Sequence, residues 1–358
     1  MMRADDALQD ARRALREQRH PTSNAGLLLG DFALEWLDTL RLENSTLVGY
    51  RKIVRNHLVP YLGQIPVQRL TATRIARHYR ELLESGFRDG RGERVPERGL
   101  SASSVNKVHV VLGAMLDAAI DDGVIAMNPA RKSRTVQAPT GKQVRAGAPE
   151  IVTLSATQLR RFLDWDRDEL QDELHALWTC LAMTGMRRGE VLALRWSDID
   201  LEGQRISVRR AADYTTRGGL KSTKTGQSRV LDIDATLAGV LRRHRALRGA
   251  LSLTLVQASA YVFADLDGAM LDPKNVTARW STRIARARRA PALADLPHVT
   301  IKGLRHTHAT LLLELGVHPK VVQERLGHSN ISTTMNIYSH VTPTMQRDAV
   351  DRLHSMLS

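Results

Sequence analysis

The chain has 358 residues, which is longer than one typical domain and enough for two separate hydrophobic cores. Its 52 Lys and Arg against 38 Asp and Glu give a formal charge of +14, which favours a polyanionic partner, with nucleic acid ahead of the alternative of a merely basic surface. The single cysteine, Cys180, excludes an internal disulfide. The sequence has no long apolar run and no signal-peptide pattern, so we expect a cytoplasmic, nucleoid-associated protein with no membrane segment.

The first part of the chain is predicted to be a small all-α domain preceded by a basic arm. Residues 1–26 are Arg-rich and poorly periodic, so they are interpreted as an arm or tail. Residues 27–127 contain four helical patterns, with Ser45, Thr71 and Ser101 as candidate N-caps. The patterns are LLLGDFALEWLDTL, STLVGYRKIVRNHLVPYLG, TATRIARHYRELLESG and SASSVNKVHVVLGAMLDAAIDDG. The intervening RDGRGERVPERG is either a loop for a phosphate backbone or an ordinary solvated loop.

A second domain is predicted after a basic, Pro- and Gly-containing linker at residues 128–150. Residues 151–341 open with an N-cap candidate, Ser155, and helical patterns in ATQLRRFLDW and ELHALWTCLAMTG. The segments QRISVRRAA, SRVLDI and AYVFA are predicted to be strands, and helices resume at IKGLRHTHATLLLELG. The expected fold class is therefore mainly α with a small β-sheet, followed by a C-terminal helix at residues 342–358.

The segment TGMRRGEVLALRW places Arg187 directly after a break between two helices. Gly185 permits a sharp junction there. An arginine held at such a break can donate two parallel hydrogen bonds to phosphate oxygens, although a surface arginine that caps a helix has the same pattern.

Further polar residues follow in order toward the C-terminus. Lys302 and Arg305 lie three residues apart, on neighbouring positions of one helical surface, so both can reach one phosphate. His306 and His308 lack the i, i+4 spacing of a metal pair and are interpreted as packing or capping residues. His328 follows a helix end at LG, and Tyr338 lies in the next helical pattern, TTMNIYSHV.

This order of residues suggests phosphoryl-transfer chemistry on DNA. Two guanidiniums can neutralise the charge that develops on a phosphodiester, and a tyrosine hydroxyl can form a covalent phosphoester. A covalent link conserves the bond energy for resealing, so neither a cofactor nor a metal is predicted.

The motifs TGMRRGE, KGLRHTH and LGHSN, with Tyr338 ten residues after His328, closely resemble those of the tyrosine recombinase (phage integrase) family over residues 27–345. The resemblance implies a SAM-like core-binding domain and a catalytic domain that together clamp duplex DNA. It implies a site-specific recombinase that cleaves and rejoins DNA through a 3′-phosphotyrosine intermediate.

The resemblance also implies roles for individual residues. Arg187 and Arg305 match the two catalytic arginines, His328 the second histidine position, and Tyr338 the nucleophile. Glu190 matches a supporting acid, unless it is an ordinary surface carboxylate of a helix. A lysine between two strands is expected to act as general acid toward the 5′ oxygen; Lys224, in TKTGQSR, matches better, and Lys221 remains the alternative.

Lys302 departs from the pattern of the family, which usually has histidine three residues before the second arginine. A lysine there can donate to a phosphate oxygen, but it is a poor base near neutral pH unless its pKa is strongly lowered. We therefore expect Lys302 to act electrostatically, with water or His328 sharing the proton transfer.

The resemblance further implies partners and a biological role. Expected partners are double-stranded DNA at specific sites, a homotetramer on that DNA, and accessory DNA-bending or directionality proteins. The C-terminal helix either docks on a neighbouring subunit or folds back on its own domain. The basic arm and linker favour integration and excision of a mobile element; alternatives are a chromosome-dimer resolvase, an inactive DNA-binding regulator and a type IB topoisomerase.

Overall fold

The computed structural model describes residues 26–89, 92–132, 134–216, 218–222, 228–338, 350–351 and 354–357. Within these ranges the side chains of five residues are not described, namely Ser222, Thr333, Asn336, Ile337 and Tyr338. The chain divides into two compact units on either side of the Pro149–Glu150 bond. In the described part, no helix is long and apolar enough to cross a membrane.

The first unit is helical, as the periodicity predicted. Its helices are α1 (Leu29–Thr39), α2 (Asn44–Ile53), α3 (Val59–Leu62), α4 (Ala72–Ser85), α5 (Ala102–Asp121) and α6 (Gly141–Ala146), with a π-helical turn at Val54–Leu58 between α2 and α3. The predicted caps Thr71 and Ser101 accept hydrogen bonds from the N–H groups of Arg74 and Ser104. Ser45 is not a cap, because α2 already begins at Asn44.

One apolar core holds this unit together. Its largest fully buried side chains include Tyr79, Leu58, Ile75 and Met115, from different parts of the bundle. A buried polar group lies beside them, since the side chain of His78 is only 2% exposed.

The Arg-rich segment between α4 and α5 is folded against the first unit. Arg88 donates to the carbonyl oxygens of Asn56 (2.8 Å) and Gly92 (2.9 Å), and the Arg98 guanidinium lies 3.7 Å from the ring centroid of Phe87. The sequence left two interpretations of this loop, a contact for a phosphate backbone and an ordinary solvated loop. Neither is complete, because the guanidiniums of Arg88 and Arg98 contact groups of the same unit.

The second unit contains α7 (Ala156–Trp165), α8 (His175–Thr184), α9 (Arg188–Leu192), α10 (Ala235–Leu251), α11 (Pro273–Ala287), α12 (Ile301–Glu314), α13 (Pro319–Leu326) and α14 (Ile331–Tyr338). Ser155 caps α7 in a capping box with Gln158, as predicted. Helix α8 is buried along nearly its whole length and packs on α12. That packing brings the C-terminal end of α8, which precedes Arg187, close to α12, which carries Lys302 and Arg305.

Two small antiparallel sheets flank the helices. One has the order β1 (Ile199–Asp200), β2 (Arg205–Val208), β5 (Arg229–Asp232); the other pairs β3 (Arg210–Ala212) with β4 (Leu220–Ser222). The predicted strand AYVFA is wrong: its residues form only isolated bridges, Arg195 with Tyr261 and Ala264 with Met270. The fold class, mainly helical with a small sheet, is confirmed.

Candidate active site

The break after α8 places Arg187. Gly185 adopts φ +63°, and the carbon of an added methyl group there would lie 2.7 Å from the ring of His308 and 2.7 Å from the side chain of Leu326. Only glycine fits this turn without strain. The backbone then turns extended at Arg187, just before α9, so the arginine lies at a helix start as its sequence context predicted.

Glu190 holds Arg187 in place. Its Oε1 accepts from Arg187 Nη1 at 2.7 Å, and its Oε2 accepts from the Arg187 backbone N–H at 2.9 Å. Glu190 is only 1% exposed. Burial by itself raises the pKa of this carboxyl, but hydrogen bonds and charge from Arg229, together with Arg187, outweigh burial and hold its pKa below the ordinary value. Glu190 is therefore a buried, ionised anchor and not a surface carboxylate.

Arg305 lies in the first half of α12 and is almost fully buried. Its Nη1 donates to the carbonyl oxygen of Gly185 at 2.8 Å, and its Nη2 donates to that of Leu326 at 2.7 Å. Burial, reinforced by the charge of Arg187, lowers the pKa of Arg305 to about 9, which keeps the guanidinium protonated at neutral pH. A guanidinium has five N–H donors, so donors remain for a ligand after these two bonds.

Three arginines converge on consecutive carbonyl groups at the end of α13. Arg229 Nε donates to the carbonyl of Arg325 (3.0 Å), Arg305 to that of Leu326, and Arg187 Nη2 to that of Gly327 (2.7 Å). The last carbonyls of a helix have no partner within the helix and carry its negative partial charge. The three bonds therefore join α13 to the positively charged side chains around it.

The same helix end presents His328. Gly327 has φ +67°, and the N–H groups of Gly327 and His328 close back on Glu324 and Gln323, which is a Schellman-type ending. His328 Nδ1 lies 2.9 Å from the hydroxyl oxygen of Thr334. Burial, with the charges of Arg305 and Arg187, lowers the pKa of His328 to about 4, so the ring is neutral at pH 7 and Nε2 is available to a ligand.

A cleft of about 320 Å³ opens beside the two arginines. It is lined by Met186, Arg187, Arg188, Tyr214, Thr277, Thr300, Ile301, Lys302 and Arg305. Four of these side chains are cationic, and none of the described lining residues is acidic. Lys302 is exposed at the edge, and its charge contributes, after burial, to lowering the pKa of His306 to about 4. The cleft is suited to an anion.

Two predicted residues are not placed at the level of their side chains. Lys224 lies outside the described residues. Tyr338 ends α14, whose backbone is described, but its side chain is not. Lys221 is described and lies in β4, three residues before Lys224 in the sequence. Among the described residues, no group of His, Cys, Asp and Glu could hold a metal ion.

Sequence reasoning missed Arg229, Arg325 and the bridging role of His308. The His308 ring donates from Nδ1 to the carbonyl of Ala182 (3.0 Å) and accepts at Nε2 from Arg325 Nε (3.1 Å). Arg229 pairs with both oxygens of Glu190. The sequence around Arg229 gives no local signal of these contacts, because its partners Glu190 and Arg325 are 39 and 96 positions away in the chain.

Comparison with known proteins places this chain in a family. The model described as "Phage integrase family" matches residues 153–345, and "Phage integrase, N-terminal SAM-like domain" matches residues 28–83. The first match spans more than half of the chain. The protein therefore belongs to the phage integrase family of tyrosine recombinases, a family of DNA-cleaving and DNA-rejoining enzymes.

Curated relatives agree with this assignment. A tyrosine recombinase XerC-like protein of Caldanaerobacter subterraneus subsp. tengcongensis is 30% identical over 356 residues, covering 92% of this chain and 83% of the relative. The ICEBs1 integrase of Bacillus subtilis is 25% identical over 309 residues, covering 85% of this chain and 76% of the relative. The relatives thus include both a XerC-like recombinase and an integrase.

Solved structures share the fold. The Tn1549 transposon integrase in complex with circular intermediate DNA matches with a TM-score of 0.71 at 21% identity, covering 90% of this chain and 99% of that one. A λ integrase tetramer bound to a Holliday junction matches with a TM-score of 0.59 at 18% identity, covering 90% and 80%. At these identities the likeness concerns the fold.

Proposed function

We propose that this protein is a site-specific DNA recombinase of the integrase type, which integrates and excises a mobile element through a covalent 3′-phosphotyrosine intermediate. The observation that carries the proposal is the cleft beside Arg187 and Arg305. Its described lining has four cationic side chains and no carboxylate. Such a site attracts a phosphodiester and stabilises the additional negative charge of an in-line displacement.

In the proposed reaction the hydroxyl oxygen of Tyr338 attacks the scissile phosphorus. A bond forms between this oxygen and phosphorus, and the bond from phosphorus to the 5′ oxygen breaks. Arg187 and Arg305 donate to the non-bridging oxygens, and neutral His328 adds a hydrogen bond through Nε2. The 5′ hydroxyl of a partner strand then attacks the phosphotyrosine and restores Tyr338, so no external energy source is required.

Two proton transfers accompany the proposed reaction, one to the departing 5′ oxygen and one from the hydroxyl of Tyr338. Lys224 protonates the departing 5′ oxygen, with Lys221 as the alternative donor. Lys302 acts as a positive charge at the edge of the cleft, since a lysine ammonium has no acceptor for the proton of Tyr338. Water takes that proton when His328 donates through Nε2–H; in the other tautomer, with Nδ1–H donating to Thr334, the unprotonated Nε2 of His328 accepts it instead.

The enzyme proposal is tested by trapping the covalent intermediate. Because the cognate site is unknown, Tyr338→Phe is first used to select binding sites from a random duplex library. A nicked suicide duplex that carries the selected site is then incubated with the wild type. We expect a covalent adduct that is resistant to SDS with the wild type and none with Tyr338→Phe. Binding without any adduct would instead support the inactive DNA-binding regulator.

Two kinds of observation support an integrase over a chromosome-dimer resolvase. The sequence has an Arg-rich segment at residues 1–26 and a basic segment at 128–150. The ICEBs1 integrase of Bacillus subtilis is among the relatives, although the XerC-like relative fits the resolvase. If the arm binds additional DNA sites, removing residues 1–26 should abolish exchange between two sites while preserving adduct formation on the suicide duplex. Unchanged exchange would favour the resolvase.

We further propose that both units contact duplex DNA and that the protein acts as a tetramer on two sites. Among the supporting observations is the λ integrase tetramer on a Holliday junction, which shares this fold. Crosslinking on the selected duplex should give a species of four chains. DNA affinity should also fall with salt, with a log–log slope of about 0.9 per phosphate contacted.

A further inference from the structure

We infer that Arg229 is a positioning residue of the active site, which fixes Arg187 through Glu190 and fixes the His328 turn through the end of α13. The inference rests on the proposed function, because it concerns the rate of the same strand cleavage. It adds a residue that the sequence motifs did not indicate.

The side-chain nitrogens of Arg229 donate hydrogen bonds to other groups of the protein. Its Nη1 and Nη2 donate to the two oxygens of Glu190 at 3.2 and 2.7 Å, and its Nε donates to the carbonyl oxygen of Arg325 at 3.0 Å. The side chain is 14% exposed. Each of its three nitrogens thus has a protein partner, and Arg229 is not among the side chains that line the cationic cleft. It acts on the reaction through its neighbours.

The first consequence is electrostatic. Glu190 is nearly inaccessible to water, and its single negative charge is shared by two guanidiniums, those of Arg187 and Arg229. If Arg187 were the only partner of Glu190, the buried carboxylate would neutralise the charge of the Arg187 guanidinium. Because Arg229 satisfies the same carboxylate through two bonds, Arg187 keeps its positive charge available for a phosphate.

The second consequence is geometric. Arg229 is the first residue of β5, where it pairs with Val208 of β2, and it follows the connection that contains Lys224. Through Glu190 it reaches α9, and through the carbonyl of Arg325 it reaches the helix that ends at His328. One side chain therefore joins the strand after the candidate general acid to the elements that carry Arg187 and His328.

The test measures cleavage and DNA binding separately. On the selected suicide duplex at saturating protein, Arg229→Gln should lower the single-turnover cleavage rate by about 10- to 100-fold, since displacing a reacting group by about 1 Å can cost on the order of 100-fold. The Kd for the same duplex should change by less than about threefold. Arg229→Lys keeps the charge but cannot span both oxygens of Glu190, so its rate should lie between those of Arg229→Gln and the wild type.

Arg205→Gln is the matched control. Arg205 pairs with Asp232 across the same sheet and is exposed, so its loss removes the same charge without contact to Glu190. It should leave the rate and Kd within about twofold of wild type. An equal loss of rate in Arg205→Gln, or a weaker Kd with an unchanged rate in Arg229→Gln, would overturn the inference.

A double-mutant cycle identifies the route of the effect. If Arg229 acts through Glu190, then Arg229→Gln should slow cleavage by less than about threefold in a Glu190→Gln background. Multiplicative effects overturn the inference. If the wild type forms no adduct, the proposed function fails, and the same cycle is read from thermal unfolding midpoints without DNA. There, additive shifts overturn the coupling between Arg229 and Glu190, and non-additive shifts support it.

Discussion

Replacing Gly185 by alanine should strongly destabilise the second unit. The residue has φ +63°, which costs an L side chain roughly 1–2 kcal/mol. The added carbon would also lie 2.7 Å from two side chains, His308 and Leu326. His308 is held by hydrogen bonds at both ring nitrogens, so relief must come from shifting packed groups, at about 1–3 kcal/mol. The expected loss is therefore about 2–5 kcal/mol.

Thermal unfolding followed by circular dichroism measures this loss. For a domain of this size each kcal/mol lowers the Tm by about 2–4 °C, so a decrease of about 4–20 °C is expected. Gly239→Ala is the control, since Gly239 lies in α10 with no atom within 4 Å of an added methyl carbon, and it should stabilise by up to about 1 kcal/mol. A Gly185→Ala protein with an unchanged Tm would refute the steric reasoning. Its adduct formation should also fall, because the carbonyl of Gly185 positions Arg305.

Three further predictions concern charge. Burial lowers the pKa of His78 to about 4 from an ordinary 6.5, so the stability contributed by its neutral form is complete above pH 6.5 and is lost as the pH falls toward 4. Urea titrations between pH 7 and 4 should therefore show that the free energy of unfolding falls by up to about 3 kcal/mol, and by less in His78→Phe. Asp166→Ala should cost about 3 kcal/mol or more in the same assay, because it leaves the buried guanidinium of Arg283 without one of its two carboxylates; an unaffected Cm would contradict this. Lys302→Arg should retain most of the cleavage rate, because it keeps the positive charge at the edge of the cleft, whereas inactivity of Lys302→Arg with full activity of Lys302→His would assign a proton-transfer role to this position.

The helices were predictable because their signals are local. Apolar periodicity and capping residues depend on neighbours within one or two turns, so Thr71, Ser101 and Ser155 could be identified as caps from sequence. The break at Gly185 is equally local, since only glycine readily adopts that backbone conformation. These features, with the ordered motifs, were sufficient to predict the fold class and to bring Arg187 and Arg305 into one site.

Other features depend on partners that are distant in sequence. The segment AYVFA has β-rich composition, but no neighbouring strand is available to pair along its length, and it forms only isolated bridges. The Arg-rich segment after α4 looks solvated in sequence, yet Arg88 reaches a carbonyl 32 positions away. Arg229 is the clearest case, because its role depends on Glu190 and the end of α13, which no local pattern connects to it.

The arrangement at the end of α13 explains why arginines are required and how they can be held ready before a phosphate arrives. A guanidinium can donate two N–H groups to protein carbonyls and still offer other N–H groups to a ligand. The three donors of a lysine ammonium are on one nitrogen and do not form such a planar fork. Arg187 donates to the carbonyl of Gly327 just after α13, and Arg305 donates to the carbonyls of Leu326 in α13 and of Gly185 just after α8. Because those oxygens cannot rotate as side chains do, the guanidiniums need little reorganisation when charge develops on the phosphate. The same helix end carries His328, so α13 contributes to the positions of all three groups that are proposed to contact the scissile phosphate.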